Sequence, residues 1–125
     1  MSFDRPIDIS LVTGTAPAGH QPRSTPSIVS FNRAELSLIL GVYGRMLTVN
    51  MARDYAIDHL SDRAVFSIFR RASETPLYRV EKRPKDANRQ GAWSVVASTG
   101  GILKRGRDLR QVLKVFDRKL IRAVD

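Results

Sequence analysis

No cysteine occurs in the 125 residues, so disulfides, thiolate metal ligands and a cysteine nucleophile are all excluded. Histidine is almost as scarce. His20 and His59 stand far apart, in neither an HExxH nor an HxxxH spacing, so no zinc or iron site and no cofactor is expected. Long apolar runs are missing too: the stretch from Leu36 to Val42 is interrupted by Ser37 and Gly41, against the ~20 apolar residues of a membrane span. Asp4 and Asp8 lie where a secretory leader would be basic and then apolar, which predicts a cytoplasmic protein without a membrane partner. The remaining shortage is of acids, 12 against 21 lysines and arginines, for a formal net charge of +9.

That excess is concentrated. Between Arg63 and Arg107 stand eleven Lys or Arg and three acids, Glu74, Glu81 and Asp86, so this block carries +8 of the +9. A contiguous basic third attracts anions, and the largest cellular anions are nucleic acids. With 42% hydrophobic residues, the chain is long enough for one domain with a real core and too short for two.

The first 30 residues hold four of the six prolines (Pro6, Pro17, Pro22, Pro26) among Ser, Thr, Gly and Ala, with no sustained period. They read as a disordered tail, with a short extended piece at Asp8 to Val12 that packs on the domain in one reading. Residues 31–125 read as a single α+β domain. Asn32 and Glu35 form a capping box, Phe31 and Leu36 a hydrophobic staple, and Leu36, Ile39, Leu40, Tyr43 and Leu47 the buried face of a helix ending near Asn50. Gly41 and Gly44 each cost about 1 kcal/mol of helix propensity against Ala, which suggests close approach of another backbone.

Strand patterns follow at Tyr55 and Ile57, at Ala64 to Arg71 (apolar on both sides, hence central), at Leu77 to Lys82, at Ala92 to Ala97, and briefly at Ile102 to Lys104. Turns are expected at Ser61–Arg63, Ser73–Pro76 and Thr99–Gly101. Asp108 opens a last helix whose Leu109, Val112, Leu113, Phe116 and Leu120 share a face. The expected architecture is an antiparallel meander of four to five strands flanked by an N-terminal and a C-terminal helix.

Several stretches are distinctive enough to compare with known families: Glu35-Leu-Ser-Leu-Ile-Leu-Gly-Val-Tyr-Gly-Arg45, Arg53-Asp-Tyr-Ala-Ile57, Ala64 to Tyr78, Gln90-Gly-Ala-Trp-Ser-Val-Val96, and Ile102-Leu-Lys-Arg-Gly106. Across Phe31 to about Leu113 the chain resembles an uncharacterised alphaproteobacterial family of small basic proteins of unknown function. Members resembling it often place a tryptophan before the Arg-Asp-Tyr-Ala run, where this chain has Ala52. The resemblance implies a soluble bacterial protein and brings no catalytic residues.

Three basic constellations follow from the residues themselves. Arg70 and Arg71 precede a turn and Arg79, Lys82 and Arg83 follow it, so a hairpin would bring Arg70 or Arg71 near Arg79, with Glu74 and Glu81 as counter-charges. Lys104, Arg105 and Arg107 lie in a glycine-flanked segment read as a loop at a helix start, where an anion would be welcome. It lacks the GxxxxGK[ST] pattern of a nucleotide-binding loop. Arg110, Lys114, Arg118 and Arg122 recur every fourth residue on the last helix, opposite its apolar face.

The leading expectation is a non-enzymatic nucleic-acid-binding domain, for RNA or DNA, that contacts phosphates through Arg70, Arg71, Arg79, Lys82, Arg83, Lys104, Arg105, Arg107, Arg110, Lys114 and Arg118. One alternative is an adaptor that docks an acidic protein. Another is a small metal-independent ribonuclease working through Arg70, Tyr78, Arg79 and Lys82. Asp54, Asp58 and His59 do not form a catalytic set, because alternation turns His59 away from the two aspartates.

Overall fold

The computed structural model describes residues 28–71 and 74–124. The tail up to Ser27, including the Asp8–Val12 piece, and Ala72 and Ser73 of the second turn lie outside the described residues.

Helix α1 spans Arg33–Thr48 and begins as the capping box requires. The Glu35 N–H donates to Asn32 Oδ1 and the Asn32 N–H to Glu35 Oε1, each at 2.8 Å. Beyond its end, Asn50 takes a left-handed conformation (φ 61°), which a short amide side chain tolerates better than most residues. Its buried face differs from the expected one. Ile39, Val42, Tyr43 and Met46 are buried, whereas Leu40 and Leu47 are exposed, Leu47 at 44%. The helix packs on the C-terminal helices as well as on the sheet, and that second neighbour draws Val42 and Met46 inward. Gly41 and Gly44 serve no close approach either, since a Cβ at either would meet nothing within 4 Å.

Five strands, β1 (Asp54–His59), β2 (Ala64–Phe69), β3 (Tyr78–Lys82), β4 (Trp93–Ala97) and β5 (Ile102–Gly106), form one sheet in sequence order. Every neighbouring pair is antiparallel, so the sheet is the expected meander. Strand β2 is buried at all but its last residue, as its two-sided apolar sequence requires. A 3₁₀ turn at Pro84–Asp86 lies in the β3–β4 connection. Strand β5 runs two residues further than its sequence pattern suggests and pairs with β4 through a bulge at Val95/Val96.

The closeness of β5 to its surroundings depends on two glycines. Gly91 (φ +100°) lies so near Gly106 that a Cβ would fall 2.2 Å from the Gly106 carbonyl carbon. At Gly106 itself, a Cβ would stand 3.2 Å from a Val112 methyl.

The last helix is two segments, α2 (Leu109–Leu113) and α3 (Val115–Val124). The Asp108 side chain accepts from the Arg110 N–H at the start of α2. At the junction the Lys114 N–H donates to Gln111 C=O and the Asp117 N–H to Lys114 C=O, a tighter three-residue step. Leu109, Val112, Leu113, Phe116 and Leu120 are nevertheless all buried. The amphipathic character of α3 is thus spent on the core.

All three helices lie on one side of the sheet. The core joins Ile39, Tyr43, Met46, Val112 and Phe116 to Phe66, Ile68, Val80, Trp93 and Val95, and includes neither Val65 nor Val96 of the opposite side. Burying each large apolar side chain contributes roughly 1.5–3 kcal/mol. The result is an α+β domain with a helix-covered face and a second face left open by the described residues.

Candidate nucleic-acid interface

Alternation along the strands sorts the basic block between those two faces. On the open face, Ser67, Arg79 and Val96 form one row across the sheet, and Val65, Glu81, Ser94 and Arg105 the next. The register overturns the expected meeting of Arg79 with Arg70 or Arg71, because the residue opposite Arg79 is Ser67. Arg70 and Arg71 are exposed at the end of β2, and Arg71 pairs with Glu74 at 3.9 Å.

Arg79 is instead held by Glu81, two residues on and on the same face. The Glu81 side chain is only 8% exposed and accepts from two guanidiniums, Arg79 Nε and Arg83 Nε, each at 3.2 Å. Arg83 also reaches Asp62 at 3.4 Å, and Asp62 pairs with Arg63 at 3.3 Å. These contacts relieve the repulsion that clustered arginines would otherwise suffer.

Lys82 lies on the helix side. Its Nζ donates to Glu35 Oε1 at 2.7 Å and to the Ser30 C=O at 2.9 Å, 5.8 Å above the Trp93 ring. At 19% exposure it ties β3 to the start of α1. Arg107 is engaged as well, donating to the Ala87 C=O at 3.1 Å and the Arg89 C=O at 3.4 Å. The Lys104–Arg107 segment is mostly strand, not a loop at a helix start, so Lys104 and Arg105 point to opposite faces.

What remains gathers beside α2 and α3. Lys104, Gln111, Lys114, Val115 and Arg118 line a groove of about 340 Å³ to which no acidic side chain among the described residues contributes. Lys114 also borders a neighbouring depression of about 300 Å³ with Arg45, Arg110 and Asp117, where Arg45 and Asp117 pair at 3.7 Å. A third hollow, of about 200 Å³, joins Arg118 to Lys119, Arg122 and the apolar Leu103 and Val115. The expected helical stripe is therefore one continuous surface, extended onto the sheet edge by Lys104.

The sequence reading did not single out Arg45 or Lys119. Lys119 stands three residues after buried Phe116, a spacing that could have placed it toward the sheet, where its Nζ lies 5.8 Å from the Tyr78 ring. The four residues nominated for ribonuclease chemistry are not brought together. Tyr78 packs edge-on against Phe116 on the helix side, and burial pushes its hydroxyl above the usual tyrosine pKa. Arg79 faces the other way, Lys82 is engaged by Glu35, and Arg70 lies beyond the strand end. Among the described residues no cluster of His, Asp and Glu is placed to hold a metal ion, and no helix is long and apolar enough to cross a membrane.

Fold and surface thus define a small α+β meander domain with an acid-free basic groove between a sheet edge and its C-terminal helices. Residues 29–113 match the family described as protein of unknown function (DUF2794), and the chain belongs to that family. No curated protein and no solved structure matches it.

Proposed function

We propose that the protein binds nucleic acid, RNA or DNA, through phosphate contacts made by Lys104, Arg110, Lys114 and Arg118. The observation that carries this reading is the groove of Lys104, Lys114 and Arg118, lined without an acid. Like charges held this close repel, and a phosphate backbone laid along them relieves the repulsion while releasing its counterions. Lys119 and Arg122 extend the same surface along α3, and Arg45, paired with Asp117, borders it on the other side. Arg71, Arg79, Lys82, Arg83 and Arg107 fall outside it, because carboxylates or backbone carbonyls already occupy them.

The test is fluorescence anisotropy with labelled single-stranded RNA and duplex DNA over a series of salt concentrations. Four phosphate contacts predict log–log salt slopes of about −3 to −4, and Lys114→Glu with Arg118→Glu should reduce the slope by about two. Absence of binding to both probes at low salt would defeat the proposal.

A further inference from the structure

The open face of the sheet holds a second site of different chemistry. No helix among the described residues covers it, yet Val65, Ser67, Glu81, Ser94 and Val96 are buried there. Arg79, Arg83 and Arg105 converge with Glu81, Ser94 and Ile102 around a cavity of about 300 Å³. We infer that this cavity binds a small molecule through one oxyanion group, a phosphate or a carboxylate, held by Arg79 and Arg105.

Glu81 makes the arrangement possible. Its carboxylate takes the Nε–H of Arg79 on one oxygen and that of Arg83 on the other. Glu81 takes the Nε–H, so the terminal nitrogens of Arg79 have no hydrogen-bond partner among the described residues, and Arg79 lines the cavity. Arg105 stands across Ser94 from Glu81 in the same transverse row. A planar guanidinium binds an oxyanion through paired N–H donors, and a second, reaching in from β5 on the far side of β4, closes the fork. Ser94, buried on this face, lines the cavity with a hydroxyl able to donate, while Val96 and Ile102 give an apolar wall for the rest of the ligand.

Charge separates this site from the nucleic-acid surface. Glu81 and Asp86 both line the cavity, and Asp54 and Asp58 lie further along the same face on β1. A continuous phosphate backbone crossing this face would pass several carboxylates, whereas a single anionic group at Arg79 and Arg105 meets none of the β1 acids. A volume of this size is at the lower end of small-molecule sites. The inference is independent of the nucleic-acid proposal, since the two share none of their binding residues.

The test is an amide NMR titration of the full chain with inorganic phosphate and, separately, with acetate, ionic strength being held constant with sodium chloride. The expected result is a saturable shift of the Ser94, Gly100 and Arg105 amides with at least one of the two, the tighter arm naming the group. Arg79→Gln and Arg105→Gln should each weaken that binding by about tenfold, and Lys114→Gln should leave it unchanged. The Arg105 side chain makes no hydrogen bond or ion pair to the described residues and its strand pairing is through backbone, so Arg105→Gln keeps the test valid even if Arg79→Gln disturbs the sheet. Absence of a saturable shift with both anions overturns the inference. So does binding that survives Arg105→Gln, or a shift confined to the Lys114 and Arg118 amides.

Discussion

Cations stand on both sides of this sheet and are put to different uses. On the open face Arg63, Arg79 and Arg83 share Asp62 and Glu81 within 3.4 Å. Beside α2 and α3, Lys104, Lys114 and Arg118 share a groove with no acid at all. A basic residue count says how strongly a protein attracts anions from a distance. Which cations can receive one depends on where the few acids lie. Here most of the acids that the basic block contains, with Glu35 and Asp62 from outside it, are engaged on β3 or its flanks, and Asp117 pairs with Arg45, which leaves the groove of Lys104, Lys114 and Arg118 uncompensated.

The comparison can be broken at one point that supports both faces. Strand β5 sends Lys104 to one side and Arg105 to the other, and it is seated by the contact of Gly91 with Gly106. Gly91→Ala combines that clash with a strained positive φ, and should cost upwards of about 3 kcal/mol in urea unfolding. A change below about 1 kcal/mol would show that β5 can shift without loss.

Next come the engaged charges. Glu81→Ala leaves two adjacent guanidiniums without their shared acceptor and should cost about 2 kcal/mol, less than a fully buried pair because both arginines are partly solvated. Lys82→Met, which removes the link to Glu35 and Ser30, should cost about 1 kcal/mol and leave affinity for labelled RNA unchanged. Lost RNA affinity in Lys82→Met without lost stability would move the interface toward β3.

The smallest effect is a gain. Gly41→Ala and Gly44→Ala should each raise stability by about 0.5–1 kcal/mol, since both positions are helical and open, and neither should alter binding on either face. Thermal unfolding reads the change; a loss of stability would mean that these glycines admit a neighbour after all.

Much of the fold was legible because it rests on local chemistry. The Asn32–Glu35 box, the two-sided apolar run of β2, the Thr99–Gly101 turn and the Leu109–Leu120 stripe each declare themselves within a few residues. The buried face of α1 was legible only in part. Leu40 and Val42 suit a core equally well by type, and the choice fell to Val42 when α2 and α3 packed alongside. The break at Lys114 carries no proline or glycine to announce it.

By itself, then, the sequence determined the order of elements, the antiparallel meander and the total excess of positive charge, all of which follow from local pattern and composition. Register and packing decided the rest. Opposing Arg79 to Ser67 rather than to Arg70 dissolved one expected cluster, and turning Lys82 inward toward Glu35 made a tie of an expected contact. Seating β5 beside α2 and α3 joined Lys104 to Lys114 and Arg118. The physical reason is that a charge is available or committed according to its neighbours in space, and those neighbours here come from elements far apart along the chain.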